Sequence, residues 1–520
     1  VSTQVAVQRA SHLFSTARAK TISLGKTMTQ VSCPLSVLFL SACIALSPTA
    51  LAATDERDAL IKFYTAANGS HWKKSSGWKE AAESSSDPEV QQLPLCSWHG
   101  VKCASGKNQD SEGVIALELE NNHLSGRITK HLWGMPYLKE VNFEGNNIKD
   151  AGFEGFDSLA TKAPIESISL DENRLTHVTG ISSAPDSLRT LHISSNSFDG
   201  DFPEEVMELK NLRSLRMAYN PGIVGTIPNT VGELENLKEL DLSYTSLTGK
   251  IPTKIGLLVN LQYLGLDECR LEGKLPEELN DLISLRYLSI KSTDEDSGKI
   301  DGPLPALTNL GDLRELYLDG NDLMGAIPSN FLQNSYVTSK LVTVSLKNNK
   351  LSGKVPGELS RFEKLQLDVR GNQISGIANQ LCRQKKWNGG QVGVFGCDAI
   401  ACPKGTFTTT GRRETDEEEC MECPYGEDDA QYLGSTGCLS MAVSTSAESS
   451  SSSNSSGSGI SVVAKVFILS VAFVVPGAIG FTLRRAYIKH GRDPEVVLGS
   501  DGAAPTQKDI EEATEEKCVL

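Results

Sequence analysis

Leu237-Lys-Glu-Leu-Asp-Leu-Ser-Tyr-Thr-Ser-Leu-Thr-Gly-Lys-Ile-Pro252 decides the fold, because its spacing recurs from about Val114 to about Gly376. Leu237, Leu240 and Leu242 predict the inward face of a short strand, Leu247 the turn after it, and Gly249 to Pro252 a return along the other side. A unit of roughly two dozen residues cannot bury such leucines alone, so successive copies must stack into a solenoid. The return segment repeats as Gly-x-apolar-Pro at Gly200–Pro203, Gly225–Pro228, Gly249–Pro252, Gly273–Pro276, Gly302–Pro305, Gly325–Pro328 and Gly353–Pro356. Glycine permits the bend, and proline fixes the extended return. The turn position reads Asn122, Asn146, Asn173, Asn196, Asn220, Thr245, Cys269, Thr293, Asn321, Asn349 and Asn372, which predicts about eleven rungs. An amide there bridges neighbouring backbones where no strand pairing is available; threonine and cysteine replace it in part, so Cys269 reads as a buried ladder thiol.

Composition narrows the function. A formal net charge of −15 argues against nucleic-acid binding, which needs a basic face. Of the twelve cysteines, Cys96 and Cys103 precede the ladder, while Cys382, Cys397, Cys402, Cys420, Cys423 and Cys438 follow it. Cysteines at the two open ends of a solenoid predict disulfide-closed caps in an oxidising compartment. No histidine pair has metalloprotease spacing and no phosphate-loop glycine pattern follows a strand, so the chain is read as no enzyme, without cofactor or metal.

Residues 1–27 read as an untranslated or disordered leader, with Met28 as initiator, and 28–53 as a secretory signal cut near Ala52 or Ala53. Residues 54–113 form an N-terminal cap, opening on the helical pattern Asp58-Ala-Leu-Ile-Lys-Phe-Tyr64, and 114–377 hold the repeats. Residues 378–398 form a C-terminal cap with Cys382 and Cys397, 399–440 a cysteine-rich module, and 441–459 a Ser-rich stalk. Residues 460–483 predict a membrane helix, and the cations Arg484, Arg485, Lys489 and Arg492 place the tail, 484–520, in the cytoplasm. Asn68-Gly-Ser70 and Asn454-Ser-Ser456 are glycosylation sequons, both outside the ladder.

With Trp72, Trp78 and Cys96-Ser-Trp-His-Gly-Val-Lys-Cys103, the opening segment resembles the N-terminal cap of plant-type leucine-rich-repeat proteins, and the Gly-x-apolar-Pro returns resemble their plant-specific subclass. That resemblance, over about 55–380, implies an α/β repeat solenoid: a right-handed superhelix with a concave parallel β-sheet. Cys402-Pro-Lys-Gly-Thr-Phe407 and Cys420-Met-Glu-Cys423-Pro resemble ephrin-receptor-like cysteine modules, which implies pairing of Cys402 with Cys420 and Cys423 with Cys438. Four cysteines allow three connectivities, and Cys-x-x-Cys is also a zinc-ligand spacing.

Register assigns one solvent-facing column of the concave face: Glu118, Asn142, Ser169, His192, Arg216, Asp241, Gly265, Ser289, Tyr317, Ser345 and Asp368. Beside it lie Tyr219, Tyr244, Tyr263 and Tyr287, with Arg213, Arg286 and Arg314 at the margin. Aromatic and arginine side chains dominate recognition surfaces, so His192, Arg213, Arg216, Tyr219, Asp241, Tyr244, Tyr263, Tyr287, Arg314 and Tyr317 are the candidate ligand contacts. Simple cross-strand packing is the competing explanation of the tyrosines. The whole plan resembles plant and algal receptor-like proteins. It implies a single-pass type I plasma-membrane receptor or co-receptor for an extracellular peptide, glycan or protein, signalling through a co-receptor kinase or another membrane partner. An adhesion or wall-associated structural protein, and an inhibitor of secreted hydrolases, are the alternatives.

Overall fold

The computed structural model describes residues 48–440, apart from 85–87, 89–91, 105–111, 160 and 294–296. The expected leader, the signal segment up to residue 47, the stalk with Asn454, the membrane helix and the tail lie outside the described residues. Among the described residues no helix is long and apolar enough to cross a membrane.

The leucine spacing produces one twelve-stranded sheet, in which an antiparallel first strand, Val101–Ala104, is followed by eleven parallel ones from Glu112–Glu118 to Lys364–Asp368. Most of these strands are three residues long, with the middle residue pointing inward. Leu215, Leu240, Leu264 and Leu288 are register partners across four rungs and are fully buried. Leu237, Leu242 and Leu247 are buried beneath them, so one rung donates a column of four leucines to a continuous core. On the opposite side the return segments form shorter sheets, the widest running Gly273–Lys274, Ile300–Pro303, Asp322–Ala326, Lys350–Val355 and Gln373–Ile377. Gly249 and Gly273 open the return with φ of 73° and 79°, a left-handed bend that disfavours a side chain.

The ladder amides close the turns. Asn220 Nδ2 donates to Ile193 O at 3.1 Å and Met217 O at 2.9 Å, while its Oδ1 accepts the Asn196 N–H at 3.1 Å. Asn146, Asn173, Asn196, Asn321, Asn349 and Asn372 repeat this bridging of two rungs. At Thr245 the hydroxyl reaches Leu242 O (2.9 Å), and the Cys269 thiol contacts the same carbonyl at 3.4 Å. Burial pushes that thiol up to about 11, so Cys269 stays protonated in its ladder position. Thr293 departs from the expected series: it is exposed and its hydroxyl and N–H bond to Glu268.

Both sheet edges are covered. At the start, the helix Pro48–Ala66 begins inside the segment expected to be removed as signal, and it packs Phe63 against Trp72, Trp78 and Phe143. A disulfide joins Cys96 to Cys103 beside the antiparallel strand. At the far end Trp387 is buried with its Nε1 donating to Phe362 O (2.7 Å), and Asn388 Oδ1 accepts the Leu367 N–H at 2.8 Å. Covering an edge in this way denies it to other chains. Disulfides also join Cys382–Cys397, Cys402–Cys420 and Cys423–Cys438. The small module 402–440 is seated on the last rung, where Leu433 N donates to Ile374 O (3.1 Å) and Arg370 bonds Asp368 and lies 3.7 Å from Glu414.

Candidate ligand-binding face

Each parallel strand offers its first and third residues to the concave side. The pairings His192↔Arg216, Arg216↔Asp241, Asp241↔Gly265, Gly265↔Ser289 and Ser289↔Tyr317 put the expected column in one row, but Gly265, Ser289 and Ser345 in it are buried rather than solvent-facing, the two serines bonded to Asp267 and Asp319. Tyr263 and Tyr287 are partners in the neighbouring row, and their rings stack with centroids 4.3 Å apart and planes 3° apart. Tyr317 continues this group, tilted, at 5.8 Å from Tyr287. Tyr219 and Tyr244 form a second stack, 4.3 Å and 8°, but stand at the turn that follows the strands rather than in a row.

A polar chain occupies the rungs before the tyrosines. His192 Nε2 is 2.8 Å from Ser214 Oγ, Ser214 Oγ donates to Glu239 Oε2 (2.7 Å), and Arg216 Nε donates to Glu239 Oε1 (2.6 Å). The hydroxyl stands between the imidazole and the carboxylate and gives its proton to the carboxylate. A hydrolytic triad needs the histidine in the middle, so this is positioning chemistry. Arg213 lies exposed where its strand begins, and Arg314 is tied at the margin to Asp312, which also holds Arg286 at 2.6 Å.

The sequence reading missed a row of aspartates two residues beyond that column. Asp171 accepts the Ser194 N–H at 2.6 Å; Asp267 accepts Ser289 Oγ (2.6 Å) and the Lys291 N–H (2.8 Å); Asp319 accepts Ser345 Oγ and the Lys347 N–H (3.1 Å). Aspartate at 171, 267 and 319, followed one rung later by serine in the column at 289 and 345, was the available signal.

These carboxylates make stability pH-dependent. Burial pushes Asp171 up to about 7 against the Ser194 bond, and Asp241 to about 6 against the bonds from Ser243. Burial likewise raises Glu56, which accepts the Val114 N–H, to about 7. A carboxyl raised on folding binds its proton more tightly in the native state, so its stabilisation is present below the unfolded value and is lost as pH rises through 6 to 7. His99 and His131, lowered by burial, act oppositely, with smaller displacements. Burial also works upward on Glu239 and Asp368, but Arg216 and Arg370 hold both below the usual carboxylate range, where they matter only in stronger acid. The melting temperature should therefore fall by several degrees between pH 5.5 and pH 8, and Asp171→Asn should flatten the slope. A profile that is level or rising over that interval contradicts the assignment.

Comparison with known proteins agrees with this architecture. Residues 167–381 match the family model of the leucine-rich repeat region and 134–156 that of a leucine-rich repeat. Receptor-like protein 1 of Arabidopsis thaliana is 32% identical over 137 residues, which cover 24% of this chain and 12% of that protein. Pollen receptor-like kinase 2 of the same plant is 31% identical over 138 residues, 26% of this chain and 20% of that protein. The chain thus spans only a small part of these relatives. Among solved structures, PEPR1–AtPEP1 superposes with a TM-score of 0.50 at 23% identity, over 64% of this chain and 47% of that one, a likeness of fold. The chain carries a leucine-rich-repeat solenoid of the kind found in plant receptor ectodomains.

Proposed function

We propose that this chain is a cell-surface receptor-like protein or co-receptor that binds an extracellular peptide, glycan or protein partner on its concave face. It would be a single-pass type I plasma-membrane protein held by residues 460–483, signalling only through a membrane partner such as a co-receptor kinase. The observation that carries the reading is the pair Tyr219 and Tyr244. Both have left-handed backbones, φ 57° and 58°, at a turn position that is left-handed in other rungs too, at Asn121, Gly145, Glu172, Ser195, Glu268, Gly320, Asn348 and Gly371, and Tyr219 and Tyr244 are the aromatic residues among them. A bulky residue there costs on the order of 1 kcal/mol or more. Cross-strand packing accounts for Tyr263 and Tyr287 but gives no reason to set two tyrosines at strained turns. Recognition does, since stacked rings give a ligand a rigid aromatic edge. The similarity to receptor-like proteins supports the same reading.

Replacing Tyr263 and Tyr287 together by alanine should lower ligand capture at least about ten-fold, because paired aromatic anchors dominate interface energetics. The melting temperature should be retained, since both side chains are only half-buried. Proximity labelling by the full-length chain at the cell surface measures this directly. An unchanged set of labelled partners, with joint Tyr219→Ala and Tyr244→Ala substitution equally without effect, removes the concave face from consideration.

A further inference from the structure

The backbone ladder draws the residues that open six successive strands into one row at the margin of the concave face. The Arg213 N–H bonds Arg189 O, the Lys238 N–H bonds Arg213 O and the Gln262 N–H bonds Lys238 O, each at 2.7 Å, and Arg286 and Arg314 continue the series at 2.9 Å. All but Gln262 are cations, in a chain whose formal net charge is −15. Successive positions stand one sheet spacing apart, about 4.8 Å, and like charges set side by side in register repel.

The fold compensates the two ends of this row and not its middle. Asp312 holds Arg286 at 2.6 Å and lies 3.6 Å from Arg314. Before Arg189 the row continues backward through Glu166 to Lys139, and those two side chains pair with each other at 3.0 Å. Between these pairs Arg189 donates to the carbonyls of Asp186 and Leu188, and Arg213 and Lys238 are exposed; none of the three forms an ion pair among the described residues. Nearby carboxylates are engaged elsewhere or stand outside ion-pair distance: Glu239 is held by Arg216 and Glu233 by Lys210, while Asp186 and Glu235 reach none of the three cations. An external polyanion would remove the repulsion that the chain itself leaves in place. The spacing selects its kind. An extended peptide turns side chains to one face only at every second residue, about 7 Å apart, and so misses successive rungs. A sugar ring advances a polysaccharide by about the width of one strand, so a glycan running across the strands can offer one anion to each rung.

We propose that Arg189, Arg213 and Lys238 bind a linear acidic polysaccharide carrying one carboxylate or sulfate per sugar. This rests on the concave-face reading and names the glycan among its ligands. The test uses the full-length chain in detergent micelles, with four probes: galacturonic acid oligomers, the same oligomers fully methyl-esterified, a sulfated galactan of equal length, and oligoglutamate of equal charge. One of the two acidic glycans should bind, its identity telling carboxylate from sulfate; binding should weaken with salt, and the methyl esters should not bind. Joint Arg213→Gln and Lys238→Gln substitution should weaken it about ten-fold, the scale of two exposed charge contacts, at an unchanged melting temperature. Arg286→Gln, which removes a charge that Asp312 already neutralises, should leave the affinity near that of the parent. Failure of both acidic glycans to bind, oligoglutamate binding as tightly as the better glycan, or equal losses from Arg286→Gln and the paired substitution overturns the acidic-glycan site. Any of these results with partner labelling still lost on joint Tyr263→Ala and Tyr287→Ala substitution leaves the concave face as the binding surface, whereas labelling indifferent to both tyrosine pairs overturns that reading as well.

Discussion

Replacing Asn220 by leucine is expected to destabilise the solenoid by about 3 kcal/mol or more, because several buried backbone groups lose their partner together. Asn220 is fully buried, and its amide satisfies Ile193 O, Met217 O and Ala218 O while its carbonyl takes the Asn196 N–H. Leucine has the same branching but bulkier methyl groups, so overpacking adds to the loss of hydrogen bonds at this fully buried site. Asn220→Thr should cost about half as much, since Thr245 shows that a hydroxyl in this position reaches the nearest carbonyl. Urea denaturation of the two variants checks the order. A leucine variant within about 1 kcal/mol of the parent would show that relaxation of the turn replaces the lost bonds.

The second large effect is expected at the opposite kind of site, an apolar cap. Trp78 is fully buried, its ring 5.1 Å from Trp72 and 5.2 Å from Trp98, and its Nε1 donates to His99 O at 2.8 Å. Trp78→Ala should cost about 3–5 kcal/mol locally, from lost burial and the cavity left behind. In a repeat array that loss acts on its neighbours and fades along the stack. Hydrogen exchange should therefore accelerate at Val114–Leu119 and stay near the parent rate at Leu365–Val369. Equal acceleration at both ends would mean that the array unfolds as one unit, and no change at the first rungs would remove the cap from a stabilising role.

Leucine spacing made the scaffold legible. One inward residue per three-residue strand fixes register, because a shift by one position would expose Leu215, Leu240 and Leu264 together. The alignment of the row from Glu118 to Asp368, and the facing of Tyr263 on Tyr287, follow from the same constraint, but exposure does not: Gly265, Ser289 and Ser345 in that row are buried. Side-chain partnerships were not legible, since they depend on which rotamer each surface group adopts across a rung. Arg314 is bound by Asp312, Asp368 is turned to Arg370 at the cysteine module, and Glu239 joins Ser214 to Arg216. Nor did periodicity reveal the left-handed backbone under Tyr219 and Tyr244, or the departure of Thr293 from the ladder, because neither disturbs the register of the inward leucines, as Leu288 facing Leu316 shows.

The interrupted ladder has a mechanical side. The parallel strands are joined rung to rung, so a pull delivered through the residues beyond Ser440 stretches those junctions in series, as links of one chain. Arg370 and the Leu433–Ile374 bond pass the load from the module to the last rung. Asparagine amides brace the junctions up to Asn220 and again from Asn321, whereas the links between them rely on a hydroxyl, a thiol and, at Thr293, exposed bonds to the Glu268 carboxylate. The compliant segment of the spring thus coincides with the rungs that carry Asp241, Tyr263 and Tyr287. Were residues 460–483 to anchor the chain as proposed, tension from that end would be felt first as a widening of the spacing between those side chains.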